Sequence, residues 1–237
     1  MNIRGFKGLT KQKSLKELFS SLNPDIILLQ EMMCDHFYAL RLFAKIKLGW
    51  EYCALDAHGL SGGILSVWNP LLTRCKAYHS FVGILLYLSF KGLDSVFSII
   101  NCYKPYANRT SFWDSAVFGG IFNFPNLILA GNLNFTHSDL EVWGDYVRLD
   151  HLALYFAQLL DSMNMVDLAP TTIGPTWRNG RAGPEGVSKR LNRFLASFHL
   201  IPLLGSYHSW TQPSEILDHY LVYLECNFLS EVSPLSF

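Results

Sequence analysis

The chain has 237 residues, half of them hydrophobic, which is enough to bury the core of one domain. Its 19 Lys and Arg balance 19 Asp and Glu, so no overall positive charge draws it onto nucleic acid. The longest apolar stretch, residues 81–90, falls far short of the roughly 20 residues that cross a bilayer, and no apolar secretory segment follows Met1. We therefore expect a soluble, intracellular protein with no membrane partner and no obligate protein partner.

The cysteines limit the kind of metal site that is expected. They are five in number, far apart, and without metal-knuckle spacing: Cys34, Cys53, Cys75, Cys102 and Cys226. An odd set of this kind is typical of reduced thiols inside a cell. Any bound metal is therefore expected to use oxygen ligands.

Two helices and one strand are predicted in the first fifth of the chain. Ser14 and Glu17 form a capping box ahead of an apolar helical face that stops at Pro24. The apolar run 26–29 is typical of a buried strand. A second helix is expected over about 35–47, after Asp35.

Strand predictions dominate the rest of the chain. Apolar runs predict strands at 64–68, 81–90, 95–103, 126–130 and 220–224. A helix is expected to start at Ser111 with Asp114, and another to span 150–164. Because several strands follow each other without a helix between them, a sheet-on-sheet core flanked by helices fits better than a strictly alternating fold.

Polar residues recur where the apolar strands end. They are Gln30, Glu31, Asn101, Tyr103, Asn132, Asn134, Asp218 and His219. Strand ends that gather at one edge of a sandwich are natural places for a functional site. Taken singly, each residue fits the more ordinary role of a strand-end cap or turn residue.

One short stretch is rich in basic residues. It contains Arg178, Arg181, Lys189, Arg190 and Arg193, with Glu185 as the nearby counter-charge. Two interpretations stay open: an ordinary solvated loop, or a rim that contacts phosphates.

Eight short motifs occur in a specific order along the chain. They are Asn2-Ile-Arg-Gly-Phe, Leu28-Leu-Gln-Glu31, Leu60-Ser-Gly-Gly-Ile, Asn101-Cys-Tyr103, Leu129-Ala-Gly-Asn-Leu-Asn134, Thr176-Trp-Arg-Asn-Gly-Arg, Lys189-Arg-Leu-Asn-Arg-Phe194 and Leu217-Asp-His219. The set resembles the endonuclease/exonuclease/phosphatase superfamily, most closely the endonuclease domain of plant LINE-type non-LTR retrotransposons. The resemblance implies an α/β fold of four layers, with two packed mixed β-sheets flanked by helices. It implies a single domain over 1–237 whose first core strand, before Asn2, is truncated.

The resemblance implies a metal site and residues that bind phosphate. Glu31 would hold Mg²⁺, or Mn²⁺ in its place, with Asn2 and Asp218 beside it. Carboxylate oxygens are the ligands that Mg²⁺ prefers alongside water and phosphate. Tyr103 and Asn134 would donate hydrogen bonds to the phosphate.

His219 completes the implied catalytic set, and three further residues extend it. His219 would bind or protonate the phosphoryl group, although a lone histidine is more often structural. Thr176, Arg178 and Arg181 would contact the substrate. The implied partner is DNA, and action in the nucleus follows from the resemblance alone.

The sequence departs from the family pattern at positions that handle protons. Asn132 replaces the aspartate that activates the attacking water, and an amide is not a base at neutral pH. Asn192 replaces the carboxylate that pairs with His219; a comparable change in a serine protease costs about 10⁴ in turnover. Leu217 stands where the family has serine.

Three functions stay open at this stage. The first is a Mg²⁺-dependent endonuclease-like phosphodiesterase derived from a retrotransposon, with impaired activity. The second is a catalytically inactive relic or a non-catalytic nucleic-acid-binding protein. The third is a phosphomonoesterase or phospholipid phosphodiesterase on the same fold, because substrate choice depends on loops.

Overall fold

The computed structural model describes residues 1–5, 8–58, 61–103, 106–145, 147–214 and 217–228. The α-helices of these residues are α1 (Leu9–Leu22), α2 (His36–Phe43), α3 (Arg109–Phe118) and α4 (Ala153–Ser162). The strands are β1 (Ile26–Gln30), β2 (Glu51–His58), β3 (Ser61–Trp68), β4 (Thr73–Ser80), β5 (Gly83–Phe90), β6 (Val96–Tyr103), β7 (Leu127–Asn132), β8 (Val142–Trp143), β9 (Met165–Asp167), β10 (Trp177–Arg178), β11 (Ser188–Lys189), β12 (Asn192–Ser197), β13 (Ser206–Gln212) and β14 (Leu221–Asn227). Short 3₁₀ turns lie at Ile121–Asn123, Asp139–Glu141, Gly183–Glu185 and Phe198–Leu204.

Two main sheets organise these elements. The larger sheet has the strand order β4-β5-β6-β7-β12-β9 and is mixed, because β6 and β7 run parallel while the other neighbours are antiparallel. The smaller sheet has the antiparallel order β1-β3-β2, and Asn2 adds a parallel bridge to Gln30 at the end of β1. A small sheet β10-β11-β8 and the hairpin β13-β14 complete the strand pairing.

The sheets pack face to face because the strands of the larger sheet are apolar on both faces. Alternate residues of a strand point to opposite faces. Accordingly, Leu86 and Ile128 face the smaller sheet, where they pack with Ile64 and Trp68. Leu129, one residue after Ile128, faces the opposite side. Continuous apolar runs such as 127–130 are therefore expected of strands that are covered on both sides.

Helices cover the outer face of each sheet. Leu15 and Phe19 of α1 pack onto Leu29 and Val67 of the smaller sheet. On the far side, α3 and α4 cover the larger sheet with the buried Trp113 and Phe156. The order of layers is therefore helices, sheet, sheet, helices, which confirms the predicted four-layered α/β sandwich.

The helix boundaries differ from those predicted. The capping box was a wrong prediction: α1 begins at Leu9 after Gly8, without a side-chain cap, so Ser14 and Glu17 lie inside the helix. The start of α3 was also wrong, since it begins at Arg109 after Asn108. Short polar motifs favour helix starts, but the added turns make tertiary contacts that such motifs do not reveal. Lys11 in α1 donates to the Ile3 and Arg4 carbonyls, and the buried Arg109 in α3 donates to the Asn134 carbonyl.

The second helix confirms its predicted start. The Asp35 side chain accepts a hydrogen bond from the Tyr38 N–H at 2.9 Å, as a cap residue does. The helix ends at Phe43, earlier than predicted, because the next N–H groups of Lys45 and Ile46 bond three residues back instead of four.

Several strands were not predicted. Both β2 and β4 are edge strands. In β4, residues that are at least partly buried alternate with exposed ones, and Arg74 and Lys76 are among the exposed ones. Edge strands often carry charged residues, which hides them from a search for apolar runs. The predicted strand at 220–224 exists but spans Leu221–Asn227. In the part of the chain that the structure describes, no helix is long and apolar enough to cross a membrane.

Candidate active site

A cavity of about 360 Å³ lies where β1, β6 and β7 end and where β14 begins. Six of the predicted site residues line it: Glu31, Tyr103, Asn132, Asn134, Asp218 and His219. The remaining described lining residues are Arg4, Tyr106, Asp150, Trp177, Lys189 and Leu191. Residues as distant in sequence as Glu31 and His219 therefore line the same cavity.

The buried amide of Gln30 links the two sheets next to this cavity, where it contacts the lining residue Asn132. Its Nε2 donates to Asn101 Oδ1 at 2.9 Å and to the Cys102 carbonyl at 2.6 Å, and its Oε1 accepts from the Asn132 N–H at 2.9 Å. Gly131 leaves room for this side chain. A Cβ there would lie 2.0 Å from Gln30 Nε2, and its φ of +144° also favours glycine.

Asn101 belongs to the same inter-sheet contact and does not line the cavity. Its Nδ2 donates to the Leu65 carbonyl and to Ser66 Oγ, both at 3.1 Å. Two of the eight polar strand-end residues, Gln30 and Asn101, are thus structural links between the sheets. The other six face the cavity.

Glu31 and Tyr103 form a hydrogen-bonded pair in the cavity wall. The Tyr103 hydroxyl donates to Glu31 Oε1 at 2.7 Å. Burial and this carboxylate together raise the pKa of Tyr103 above its usual value. Tyr103 is therefore a neutral hydrogen-bond donor at physiological pH, and Glu31 keeps its second oxygen for another ligand.

His219 contacts the amide that replaces the expected carboxylate. Its Nδ1 lies 3.2 Å from Asn192 Oδ1, which assigns the Nδ1–H as donor and leaves Nε2 as the acceptor. Burial lowers the pKa of His219 to about 4, more than Asp218 raises it. The ring is therefore neutral at pH 7. Among the described residues, Asn192 Nδ2 is buried and meets no hydrogen-bond acceptor.

Asn134 is held in a left-handed backbone conformation beside Asn132. Its φ is 55°, and its N–H donates to Asn132 Oδ1 at 3.2 Å. Arg109 donates to the Asn134 carbonyl at 2.8 Å and pairs in a two-point contact with Asp150. The buried Arg109 guanidinium therefore holds the Asn134 backbone in place.

Asn2 lies next to the site in a buried position. Its Oδ1 accepts the Arg4 N–H at 3.2 Å, and its Nδ2 has no partner among the described residues. Asn2 does not line the cavity, whereas Arg4 does and forms an ion pair with Asp218.

The donor set suits a hard divalent cation. Glu31 and Asp218 place two carboxylates in one cavity. Mg²⁺ is commonly bound through one or two carboxylates, with water and substrate phosphate as the other ligands. No group of three or more His, Cys, Asp or Glu able to hold a metal occurs among the described residues. The residues therefore fit an ion that is shared with substrate better than a site made wholly of protein ligands.

The three predicted substrate contacts lie outside the cavity lining. Thr176 is buried, and its Oγ1 accepts the N–H groups of Leu191 at 2.7 Å and Asn192 at 2.8 Å. Arg178 donates to the Ser214 carbonyl at 2.8 Å. Arg181 is exposed.

The basic stretch divides into residues with different environments. Arg181 forms an exposed ion pair with Glu185 at 3.1 Å. Lys189 lines the cavity. Arg190 and Arg193 are buried, so neither the solvated-loop nor the phosphate-rim interpretation describes them.

Two carboxylates that are distant in sequence neutralise the buried arginines. Arg190 contacts Glu141 at 2.8 Å, and Arg193 contacts Asp167 at 2.7 Å. Burial alone would raise the pKa of both carboxyl groups, but the two guanidinium groups outweigh it and hold each pKa below its usual value. This ion network supports the strand that carries Asn192.

Sequence reasoning missed three contributors to the site: Arg4, Arg109 and Asp150. Arg4 lies inside the first quoted motif, so a basic residue two positions after Asn2 was the available signal. Asp150 was interpreted as a helix start. Its pairing with Arg109 joins residues 41 positions apart, and nothing in the local sequence pattern reveals such a contact.

Comparison with known proteins supports the same fold. The model of the Endonuclease/Exonuclease/phosphatase family matches residues 1–208. This match ends before Asp218 and His219. A search of the curated proteins finds no match.

Solved structures share the architecture over nearly the whole chain. An AP endonuclease from Leishmania major has a TM-score of 0.71 and 16% identity, covering 94% of this chain and 84% of its own. The endonuclease domain of TRAS1, a telomere-specific non-LTR retrotransposon, has a TM-score of 0.67 and 14% identity, covering 96% and 95%. The 3′ phosphatase NExo from Neisseria, bound to a product DNA hairpin, has a TM-score of 0.63 and 17% identity, covering 96% and 95%. At these identities the likeness establishes a shared fold.

Proposed function

The chain belongs to the endonuclease/exonuclease/phosphatase family, and from this premise we propose that it is a DNA-directed, metal-dependent phosphodiesterase domain with impaired proton transfer. We further propose that it descends from a non-LTR retrotransposon endonuclease of the plant LINE type. One observation carries the proposal. Glu31, Tyr103, Asn134, Asp218 and His219 line a single cavity, although they come from separate elements.

Members of this family generally use divalent metals. In this chain Glu31 and Asp218 would hold the ion, Mg²⁺ by preference or Mn²⁺ in its place, with the buried Asn2 beside them. When bound, such an ion neutralises a non-bridging phosphate oxygen and the leaving oxygen.

The chain's own residues would bind and orient the phosphate. Asn134 supplies a neutral donor, and Tyr103 supplies a second one when its single O–H turns from Glu31 to the phosphate. Such donors stabilise anionic oxygens without a proton being transferred. His219 is neutral at pH 7 and presents Nε2 as an acceptor, so it can orient a water or receive a hydrogen bond. It is a poor acid, because burial lowers its pKa to about 4.

Two amides explain why we propose impaired activity. Asn132 cannot accept a proton from the attacking water, which removes a contribution of about 10²–10⁴ in rate. Asn192 gives His219 a neutral partner, so an imidazolium formed during reaction would lack a neighbouring carboxylate. Both losses affect proton transfer and leave phosphate binding in place.

We propose DNA as the substrate on two grounds: the structurally similar proteins and the arginines that lie next to the cavity. The three similar structures are an AP endonuclease, the endonuclease domain of a non-LTR retrotransposon and a 3′ phosphatase bound to a product DNA hairpin. We propose that Arg178 and Arg181 extend the DNA-binding surface next to the cavity, and that Thr176 supports it. Action on DNA in the nucleus would follow.

Nicking of supercoiled plasmid with and without Mg²⁺ tests this proposal. Four proteins are compared: the unmodified chain, Glu31→Ala, the Asn132→Asp plus Asn192→Asp variant, and Glu17→Ala as an exposed carboxylate control outside the cavity lining. We expect the restored double variant to nick about 100-fold faster than the unmodified chain, or more. Glu17→Ala should match the unmodified chain.

The outcomes separate activity from impairment. Fast nicking by the unmodified chain that Glu31→Ala abolishes would establish an enzyme and refute the proposed impairment. Silence in every variant, with normal folding, would refute the catalytic proposal altogether.

The second candidate is a non-catalytic nucleic-acid-binding protein. It is favoured by the same two amides, Asn132 and Asn192, because replacing carboxylates removes repulsion of a phosphate. This candidate predicts DNA binding in EDTA that the double restoration weakens, without cleavage by either protein.

A further inference from the structure

Arg4 lies on a rigid turn that the catalytic proposal does not use. Its φ is +44°, a left-handed conformation that residues other than glycine rarely adopt. Its N–H donates to Asn2 Oδ1 at 3.2 Å, and its carbonyl accepts from Lys11 Nζ at 3.0 Å. A non-glycine residue persists in this conformation only where its surroundings fix it, and such residues cluster at functional sites.

The residues on either side anchor this turn to the cavity wall. The Ile3 N–H donates to the Gln30 carbonyl at 2.9 Å, and the Gly5 N–H donates to the Glu31 carbonyl at 2.7 Å. Arg4 is thus held between two bonds to the end of β1. Its side chain has a fixed starting point beside Glu31.

The guanidinium of Arg4 lines the cavity and uses little of its donor capacity. It forms an ion pair with Asp218, and 61% of the side chain remains exposed. A guanidinium has five N–H donors in a planar fork. Among the described residues the guanidinium pairs with Asp218 through Nη1, so donors are left for a ligand that enters the cavity which Arg4 lines. A phosphate presents oxygens at the spacing that such a fork binds at two points.

We propose that Arg4 binds a phosphate oxygen of the nucleic-acid substrate in the cavity. In the absence of metal, Asp218 pairs with the guanidinium and competes with the phosphate for it. Because this contact uses N–H donors, it operates without a metal. The inference rests on the proposed function, since it names a further substrate-binding residue of that same cavity.

The experiment measures binding of a fluorescein-labelled DNA duplex by anisotropy in EDTA, at several salt concentrations. The variants are Arg4→Gln and Arg4→Lys. Arg74→Gln removes the same charge from an exposed position on β4 and serves as the matched control. Circular dichroism establishes that each variant is folded.

Arg4→Gln should weaken binding about 10- to 100-fold, since a hydrogen bond to a charged group is lost. The slope of log affinity against log salt should fall by about 0.9, as expected for one phosphate contact. Arg4→Lys should restore the slope but not the full affinity, because an ammonium lacks the fork. Arg74→Gln should leave both unchanged.

A second variant tests the role of Asp218. Asp218→Asn removes the counter-charge and releases Arg4, so DNA binding in EDTA should strengthen. Equal behaviour of Arg4→Gln and Arg74→Gln would overturn the inference, as would absence of binding by the unmodified chain. Arg4-dependent binding with no nicking by any variant, including Asn132→Asp plus Asn192→Asp, would refute the catalytic proposal alone. Nicking with Arg4-independent binding would refute this inference alone.

Discussion

Residues 190–193, at and just before the start of β12, include both buried ion pairs and a neutral buried contact. Behind the cavity, Arg190 and Arg193 are matched by Glu141 and Asp167. Between the two arginines in sequence, the buried Asn192 places a neutral amide against His219, which lines the cavity. The supporting ion network therefore pairs each charge, whereas the contact beside the cavity is neutral on both sides. The following experiments test what each arrangement contributes.

The largest expected effect is on the supporting network. Glu141→Gln should lower the free energy of unfolding by about 3–5 kcal/mol, because it leaves two buried guanidinium groups with one carboxylate. Urea denaturation measures the loss. Glu185→Gln is the matched control, since its ion pair with Arg181 is exposed and should contribute less than about 1 kcal/mol. Similar losses in the two variants would contradict the comparison.

The next effect is the pH dependence that His219 imposes. Its folded pKa of about 4 lies below the ordinary value of 6.5, so the unfolded chain binds the proton more readily. Stability from this group is complete above pH 6.5 and decreases as the pH falls toward 4, by about 3 kcal/mol in total. Urea denaturation at pH 7 and pH 4 measures this loss, and pH 5 should show about two thirds of it.

Two variants show whether His219 causes the loss of stability at low pH. Asn192→Asp should reduce the loss at low pH, because a carboxylate beside Nδ1 raises the pKa of His219. His199→Gln, at an exposed ring outside the cavity, should leave the pH dependence as it is. An unchanged loss in Asn192→Asp would contradict the assignment.

The smallest expected effect concerns Thr176, whose hydroxyl binds the backbone between Arg190 and Arg193. Thr176→Val should lower the free energy of unfolding by about 2 kcal/mol, since the buried N–H groups of Leu191 and Asn192 lose their acceptor. Thr176→Ser keeps the hydroxyl and should recover most of the stability. Denaturation of both variants measures the difference, and equal values for Val and Ser would show that the hydroxyl is not required.

The fold was predictable from the sequence to the extent that it depends on apolar runs. Strands such as β5, β6 and β7 are buried on both faces, and their runs mark them directly. The edge strands β2 and β4 mix polar and apolar residues, so their pairing with neighbours decides their structure. Helix starts also depended on packing, as the position of Ser14 inside α1 shows.

Six of the residues that line the cavity were predictable because polar residues flank the apolar strands, but the remaining lining residues and the buried ion pairs were not. Glu141 and Asp167 neutralise Arg190 and Arg193 across separations of 23 to 52 residues. No local pattern encodes such contacts. Arg178 and Arg181 remain predicted substrate contacts, and binding experiments are required to test them.

The Gln30 amide also makes the order of folding measurable. The Asn132 N–H donates to a side chain 102 residues earlier in the chain, so this bond forms only when the two sheets have docked. Contacts of such sequence separation form slowly, because the intervening chain must be ordered first. Hydrogen exchange at the Asn132 amide therefore times the docking of the sheets, and a site built on this bond matures late in folding.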